Sequence, residues 1–263
     1  PILKTNLRTA EMIKYTANSL LATLISFSNE IANICEAIGN TDVKEVFNGV
    51  NLDRRINPRI GNKLVNPGII TYLAAGCGYG GSCFPKDTKS LAYISKKMGY
   101  IPEMITATIN INEDQPIRFV KRMEREIGDL YNKRIAVLGL AFKPETDDVR
   151  ESPSIKIMNL LVRKGANVCA CDPAATENAK KLKPLAVHYY RTYKEALKGA
   201  DACVLVTKWK EYAEIQPKEF KRLMKAPIVF DGRRVFDKRM FIDSGIQYFG
   251  VGLVEERANI LFG

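Results

Sequence analysis

A single histidine, His188, and a single tryptophan, Trp209, occur in the 263 residues. With no second histidine and no Cys-x-x-Cys among the six cysteines, no zinc-type ligand set is spelled out, and no metal is expected. Six cysteines in a chain of this size do not make a disulfide framework, so the thiols read as reduced and the setting as cytoplasmic. No stretch approaches the roughly 18–20 uninterrupted apolar residues of a membrane span. The nearest, Ser19 to Phe27, stops at Ser28-Asn29-Glu30. There is no secretory signal, internal repeat or low-complexity segment. The chain opens on Pro1 rather than Met, which reads as a fragment or a processed start.

What is present is ordinary globular composition, 46% apolar and 26% charged, which disfavours a disordered chain and suffices for one large or two modest domains. The net charge of +11 is uneven: residues 1–130 carry +3 and residues 131–263 carry +8. Such an excess suits an anionic partner. Nucleic acid, an acidic membrane face or a phosphorylated small molecule would each fit, and charge alone does not choose. Nucleic acid lacks a recognition motif, however, and no membrane partner is expected without a span.

The apolar period changes once along the chain. Up to about residue 130 it is helical. Met12, Ile13, Ala17, Leu20, Leu24, Phe27, Ile31, Ile34 and Ile38 mark one long helix from about Leu7 to Gly39, and their stripe is its candidate apolar face. A short capped helix follows at Thr41–Gly49, then a loop-rich stretch to Gly81, a helix opening at Pro85 and another from Pro102 to Gly128. From Lys133 short β-rich runs alternate with helices: 134–140, 166–172, 201–206, 227–231 and 246–251. Cys169 and Cys171 lie in the second of them. The expected fold is α/β: a helical domain over 1–130, then a parallel, doubly wound Rossmann-like sheet over 131–263 that binds ligands at its strand C-terminal ends.

The most informative segment is Gly76-Cys-Gly-Tyr-Gly-Gly-Ser-Cys-Phe-Pro-Lys-Asp87. Gly76, Gly78 and Gly81 satisfy G-x-G-x-x-G, with Glu103 about 20 residues further on. The dinucleotide reading fails on context. Ser82, Cys83 and Phe84 separate the third glycine from a helix whose first turn holds Pro85, and Tyr72–Ala75 is a poor buried strand. A loop of this composition instead lets backbone pass close to a substrate. Cys83 then precedes a helix N-terminus, where free amides favour a thiolate, with Lys86 and Asp87 on the same turn. Nucleophile with adjacent acid or base is one reading; a buried cysteine beside a capping acid is the other. Lys14 and Asn18, four apart on one helix face, either meet solvent or stabilise an oxyanion. In the second half, Phe142-Lys143 and Arg150 follow the first strand and Asp231-Gly-Arg-Arg234 the fourth, either plain surface charge or cations at the edge where a phosphate would bind. Only Gly139 follows the first strand, so no dinucleotide fingerprint stands there.

Three ordered motifs, Ala10–Asn18, Gly78–Asp87 and Gly139–Pro153, resemble the UDP-glucose/GDP-mannose dehydrogenases over essentially the whole chain, and Phe84 resembles the UDP-glucose branch. The resemblance implies oxidation of a sugar C6 alcohol to a carboxylate in two hydride transfers to NAD. It implies a helical central domain that makes a homodimer, followed by a UDP-binding domain. Catalytic roles fall on Cys83 as nucleophile, Lys14 at the oxyanion, Asn18 positioning C6 and Asp87 handling water and protons. Lys86 and Arg150 would face the cofactor's phosphates. Phe142, Lys143 and Arg233 would hold the UDP, Tyr72 and Gly80 would line the sugar loop, and Arg59 would reach the neighbouring subunit's substrate. The segment 64–71 is longer than the family's usual loop. The family's N-terminal NAD-binding Rossmann domain, with its glutamate and threonine, is absent from these residues, so the chain alone is expected to be inactive. The alternatives are a GDP-mannose or other UDP-sugar dehydrogenase, and a non-catalytic subunit that binds nucleotide sugar and oligomerises.

Overall fold

The computed structural model of the chain describes residues 1–61, 63–65, 67–182 and 186–254, the side chains of Arg59, Ile60 and Leu64 excepted. Helix α1 (Leu7–Ile38) is opened by Asn6, whose side chain accepts from the Thr9 amide at 2.9 Å, and is closed by Gly39 at φ +78°. The ribbon strand β1 (Thr41–Asp42) leads into α2 (Val43–Val50), capped by Asp42 through the Lys44 amide. Strands β2 (Arg59–Ile60) and β3 (Lys63–Leu64) pair antiparallel, and a 3-10 turn spans Gly68–Tyr72. Two long helices follow, α3 (Phe84–Lys97) and α4 (Glu103–Ile127).

From residue 134 strands and helices alternate: β4 (Arg134–Leu138), α5 (Pro153–Arg163), β5 (Asn167–Cys171), α6 (Thr176–Lys181), β6 (Val187–Tyr189), α7 (Tyr193–Leu197) and β7 (Ala202–Leu205). Then come α8 (Lys210–Ala213), α9 (Pro217–Leu223), β8 (Ile228–Asp231), α10 (Lys238–Asp243), β9 (Gln247–Gly250) and β10 (Leu253–Val254). Six strands form one parallel sheet in the order β6-β5-β4-β7-β8-β9, the doubly wound arrangement with its switch between β4 and β7. The expected strands are all present. The sequence missed β6, because three residues are too few to show a period.

Strand β4 is covered on both faces. Ile135 and Val137 face a core completed by Phe119, Val120 and Met123 of α4 and by Ile157, Met158 and Leu161 of α5. Ala136 and Leu138 face a second core with Leu197, Phe220 and Phe241. Helix α4 therefore serves both halves, packing on α1 with one side and on the sheet with the other.

Further braces tie the halves together. Strand β10 pairs antiparallel with β1, so the last described strand returns to the helical half. Beside that ribbon Arg234 holds Asp42 through two nitrogens at 2.7 and 2.8 Å. Arg122 donates to Glu36 at 2.5 Å and to the carbonyls of Gly250 and Leu253. Among the described residues no helix is long and apolar enough to cross a membrane.

Most of the apolar stripe of α1 does not face this core, although Ile31 packs against it. Ile13, Leu20, Phe27 and Ile34 remain 46–50% exposed, and Ile38 is 62% exposed. The buried face is instead Ser19, Ala22, Ser26, Ser28, Asn29, Ala32 and Cys35. Small side chains let α3 and α4 approach closely, and Ser26 donates across the contact to the Thr108 carbonyl at 2.8 Å, while Ser28 donates to Leu24 of its own helix.

Candidate active site at the junction of the two halves

Cys83 stands at the N-cap position of α3 and is exposed, whereas the five other cysteines are buried. Burial pushes the Cys77 and Cys171 thiols up to about 12 and raises Cys169 and Cys203 as well. The capping-acid reading of Cys83 required a buried sulfur, and the structure removes it.

One turn into the helix, Asp87 has no solvent exposure and is covered by its partners rather than by depth. Asn18 Nδ2 donates to its Oδ2 at 2.6 Å, and Lys14 Nζ lies 3.9 Å from the same oxygen. Lys86 Nζ donates to Oδ1 and lies 5.9 Å above the Tyr15 ring. Burial alone would raise the Asp87 carboxyl. The hydrogen bonds from Lys86 and Asn18 and the charges of Lys86 and Lys14 outweigh it and hold Asp87 below the usual carboxylate range. Lys86 is raised, first by its hydrogen bond to Asp87, with smaller contributions that include the Cys83 sulfur. Residues 69 positions apart thus meet in one cluster, with Lys14 at its edge, its side chain 64% exposed.

The glycine loop is seated differently from the expectation. Its glycines admit protein rather than an exposed ligand path. A Cβ at Gly76 would fall 2.8 Å from Arg233 Nη1, one at Gly78 2.8 Å from Asn112 Oδ1, and one at Gly81 2.7 Å from the Phe142 ring. Gly80 is buried against the Glu151 carbonyl, so it shapes the loop instead of lining an open sugar site. The Gly81 amide donates to the Arg150 carbonyl at 2.8 Å. Arg233 sends Nε to the Val206 carbonyl and Nη2 to the Gly78 carbonyl, at 2.6 and 3.0 Å. Its guanidinium is a strut between sheet and loop.

Sequence reasoning missed the other clamps. Asn112 accepts from the Tyr79 amide and donates to its carbonyl, Gln115 donates to the Gly76 carbonyl, and Asn29 accepts from the Gly76 amide. The available signal was polar residues 108, 112 and 115 at helical spacing on the buried stripe of α4. Of the remaining expected residues, Tyr72 packs its ring 6.1 Å from Phe84. Lys143 is exposed with its Nζ 5.6 Å from the Phe142 ring. Arg150 is exposed and forked onto Asp148 at 2.7–3.1 Å. Its pKa is raised chiefly by that hydrogen bond, with a small contribution from Cys83. Arg59 stands on β2, and its side chain lies outside the described residues.

The site therefore lies where α1, the start of α3 and the loop after β4 converge. Residues 8–114 match the central-domain model of the UDP-glucose/GDP-mannose dehydrogenase family, and residues 136–238 match that family's UDP binding domain. The chain belongs to the UDP-glucose/GDP-mannose dehydrogenase family. Among its relatives, UDP-glucose 6-dehydrogenase TuaD of Bacillus subtilis is 44% identical over 252 residues, 96% of this chain and 52% of that protein. UDP-glucose 6-dehydrogenase AglM of Haloferax volcanii is 42% identical over 92% of this chain and 53% of its own. The UDP-glucose dehydrogenase structure from Pyrobaculum islandicum superposes with a TM-score of 0.82 at 33% identity, covering 97% of this chain and 53% of that one. The chain spans about half the length of the curated relatives it matches.

Proposed function

We propose that these residues supply the nucleophile and the nucleotide-sugar site of a UDP-glucose 6-dehydrogenase, which oxidises the C6 alcohol of UDP-glucose to the carboxylate of UDP-glucuronate. The observation that carries the reading is Cys83. It is the exposed thiol of the described residues, set at the junction of the halves beside the Lys14–Asn18–Lys86–Asp87 cluster.

The chemistry follows from that placement. Attack of the Cys83 sulfur on a C6 aldehyde forms an S–C bond, and the thiol proton ends on the former carbonyl oxygen as a thiohemiacetal. Lys14 and Asn18 supply the cation and N–H donor for the oxyanion that forms on the way. At the acyl stage a thioester holds the sugar until water attacks its carbon, the C–S bond breaks and the thiolate leaves. Asp87, held ionised by its neighbours, accepts a proton from that water. Covalent attachment keeps the aldehyde from escaping between the two oxidations.

NAD, when bound, supplies the hydride acceptor for both oxidations. Among the described residues, the turn after β4 offers it no cradle. The amides of Leu140 and Ala141, which open the first turn after β4, both donate to Asp172 Oδ2 at 2.7 and 3.1 Å. A Cβ at Gly139 would overlap Thr207, so that turn is closed by protein. Lys86 and Arg150 are the cations these residues present toward cofactor phosphates. For the UDP, Lys143 beside Phe142 is the cation at the loop after β4, with Arg233, Tyr72 and Gly80 shaping the adjoining wall. Arg59 is assigned to a neighbouring subunit's substrate.

That neighbour would dock on α1. Ile13, Leu20, Phe27 and Ile34 recur every seven residues and are about half exposed, the spacing of a helix seam that pairs with another helix. A homodimer through this helix covers them.

Three measurements test the reading. Titration calorimetry on the chain should show UDP binding and much weaker GDP binding; equal binding would favour another nucleotide sugar. UDP-glucose and NAD added to the 263 residues alone should give no NADH. In the active enzyme, Cys83→Ser should abolish carboxylate formation, and retained turnover would overturn the role of the thiol.

A further inference from the structure

Beside the site, two lysines and two glutamates form a closed ring of ion pairs. Lys89 of α3 pairs with Glu113 of α4 at 2.8 Å, Glu113 with Lys156 of α5 at 3.1 Å, and Glu151 lies 3.8–3.9 Å from both lysines. The ring spans both halves of the molecule. Its members are 32–47% exposed, so each pair is worth about 0–1 kcal/mol and stability does not explain the arrangement.

Glu151 gives the ring a second meaning. Its backbone is at φ +53°, the left-handed region that a non-glycine residue occupies at a cost of about 1–2 kcal/mol. The corner it makes is pressed onto the loop that carries the thiol. The Arg150 carbonyl accepts from the Gly81 amide at 2.8 Å, and the Glu151 carbonyl sits where a Cβ on Gly80 would be. Gly81 precedes Cys83 by two residues. The corner also carries Arg150, whose guanidinium is forked onto Asp148. Lys89 lies on the same helix that Cys83 begins. The ring thus grips both sides of the contact, the corner through Glu151 and the thiol's helix through Lys89.

We propose that the Lys89–Glu113–Lys156–Glu151 ring is a positioning device for Cys83, clamping the Arg150–Ser152 corner onto the Gly80–Gly81 backbone and so fixing the thiol at the N-terminus of α3. The buried braces Arg234–Asp42 and Arg122–Glu36 hold the halves together elsewhere, at the β1–β10 ribbon. Loosening the ring should therefore disturb the thiol without undocking the halves. For its purpose the inference rests on Cys83 being the nucleophile. Its test does not, because it reads the thiol directly, whereas failure of the nucleophile reading would appear as turnover by Cys83→Ser.

The test is the rate of Cys83 alkylation by iodoacetamide on the whole chain, followed by peptide mass, with the five buried cysteines as internal controls. Glu151→Gln keeps size and backbone. Its field effect alone would speed alkylation, since it removes a negative charge near the thiol. Loss of positioning has the opposite sign, because a loosened loop lets the sulfur leave the α3 N-terminus whose free amides favour a thiolate, and the expected result is a slowing of about threefold or more at low salt. Lys89→Met should slow the thiol and Lys89→Arg should restore it, while thermal midpoints stay within about 2 °C for such exposed pairs. In about 1 M salt the unmodified protein should fall toward the variant rate, because exposed pairs are screened. Glu151→Gln alkylated as fast as or faster than the unmodified protein would overturn the proposal. So would Lys89→Met and Lys89→Arg behaving alike, and these two variants keep the inference open to refutation should Glu151→Gln not fold.

Discussion

The sheet and helix α1 carry equally clear apolar patterns and use them in opposite directions. In the sheet, every apolar side chain of β4 is buried, one set against α4 and α5 and the other against α7, α9 and α10. In α1, Ile13, Leu20, Phe27 and Ile34 stay about half exposed while Ile31 packs on the core, and the fully buried face is mostly serine, alanine and asparagine. A period in the sequence identifies a face that must be covered. It does not say whether the cover is the same chain or another. The two halves therefore differ in what holds them: the sheet by its own packing, the helix by close approach inside and an apolar seam left outside.

The strongest break of that comparison is a cavity in the sheet half. Phe241 is fully buried, its ring 4.4 Å from that of Phe236 and 5.5 Å from that of Phe220. Phe241→Ala should cost about 3–5 kcal/mol, since the surrounding rings cannot all collapse into the space. Denaturant unfolding of the monomer would measure it. A loss below about 1 kcal/mol would mean that the sheet half does not rely on internal packing in the way described.

Next in size is the brace between the halves. Asp42 is held at about 2: burial opposes ionisation, while hydrogen bonds from Arg234, the Lys44 amide and Lys238, with the Arg234 charge, favour it. A carboxyl whose folded pKa lies below its unfolded value stabilises above the unfolded value, near 3.8, and loses that contribution as the pH falls through 2. The amount is about 2 kcal/mol. Asp42→Asn should lower stability at pH 7 by about 3 kcal/mol, because Arg234 is left buried and unpaired. It should also flatten the acid limb of the stability curve between pH 5 and 2. An unchanged limb would show that the junction is held without this pair.

How much of this was legible follows from the same division. Strand runs such as Arg134–Leu138, buried on both faces, show in sequence because local composition and final environment agree. The candidate site was legible where a motif is local, as with Cys83, Lys86 and Asp87, and where spacing is helical, as with Lys14 and Asn18. That Asn18 meets Asp87 was not, because it depends on how α1 lies on α3. Gly80 and Arg233 were read as ligand contacts; the structure seats one beneath Glu151 and ties the other to the Val206 and Gly78 carbonyls. Glycine permits close approach, but sequence does not name what approaches. Asp172 and Glu151 went unread because their roles are set by backbone amides and by a left-handed φ, and neither leaves a pattern.

A middle-sized effect is expected at the seam between halves. Gly81 has φ +82°, and a Cβ there would meet the Phe142 ring at 2.7 Å. Gly81→Ala combines left-handed strain of about 1–2 kcal/mol with that overlap, so a loss of about 2 kcal/mol is expected. Because Cys83 lies two residues on, thiol alkylation should change with it. An alanine that is neutral on both counts would show that loop and sheet half are not in contact in solution.

The smallest expected effect on the fold is also the sharpest test of the contrast. Phe27 is 48% exposed and its ring makes an edge contact with Phe47 at 6.4 Å; Leu20, seven residues earlier, is 50% exposed. If the stripe of α1 served this chain's own core, Leu20→Gln with Phe27→Gln would resemble a core substitution. Because it faces outward, the monomer's unfolding free energy should change by less than about 0.5 kcal/mol per site, apart from the Phe47 contact. What should change is assembly. The unmodified chain is expected to sediment as a dimer and the double variant as a monomer at the same concentration, with its sheet spectrum intact. A variant that unfolds would return the stripe to the interior. A variant that stays dimeric would move the interface to another face. Only loss of assembly with the fold retained keeps the two halves as different as their buried faces make them.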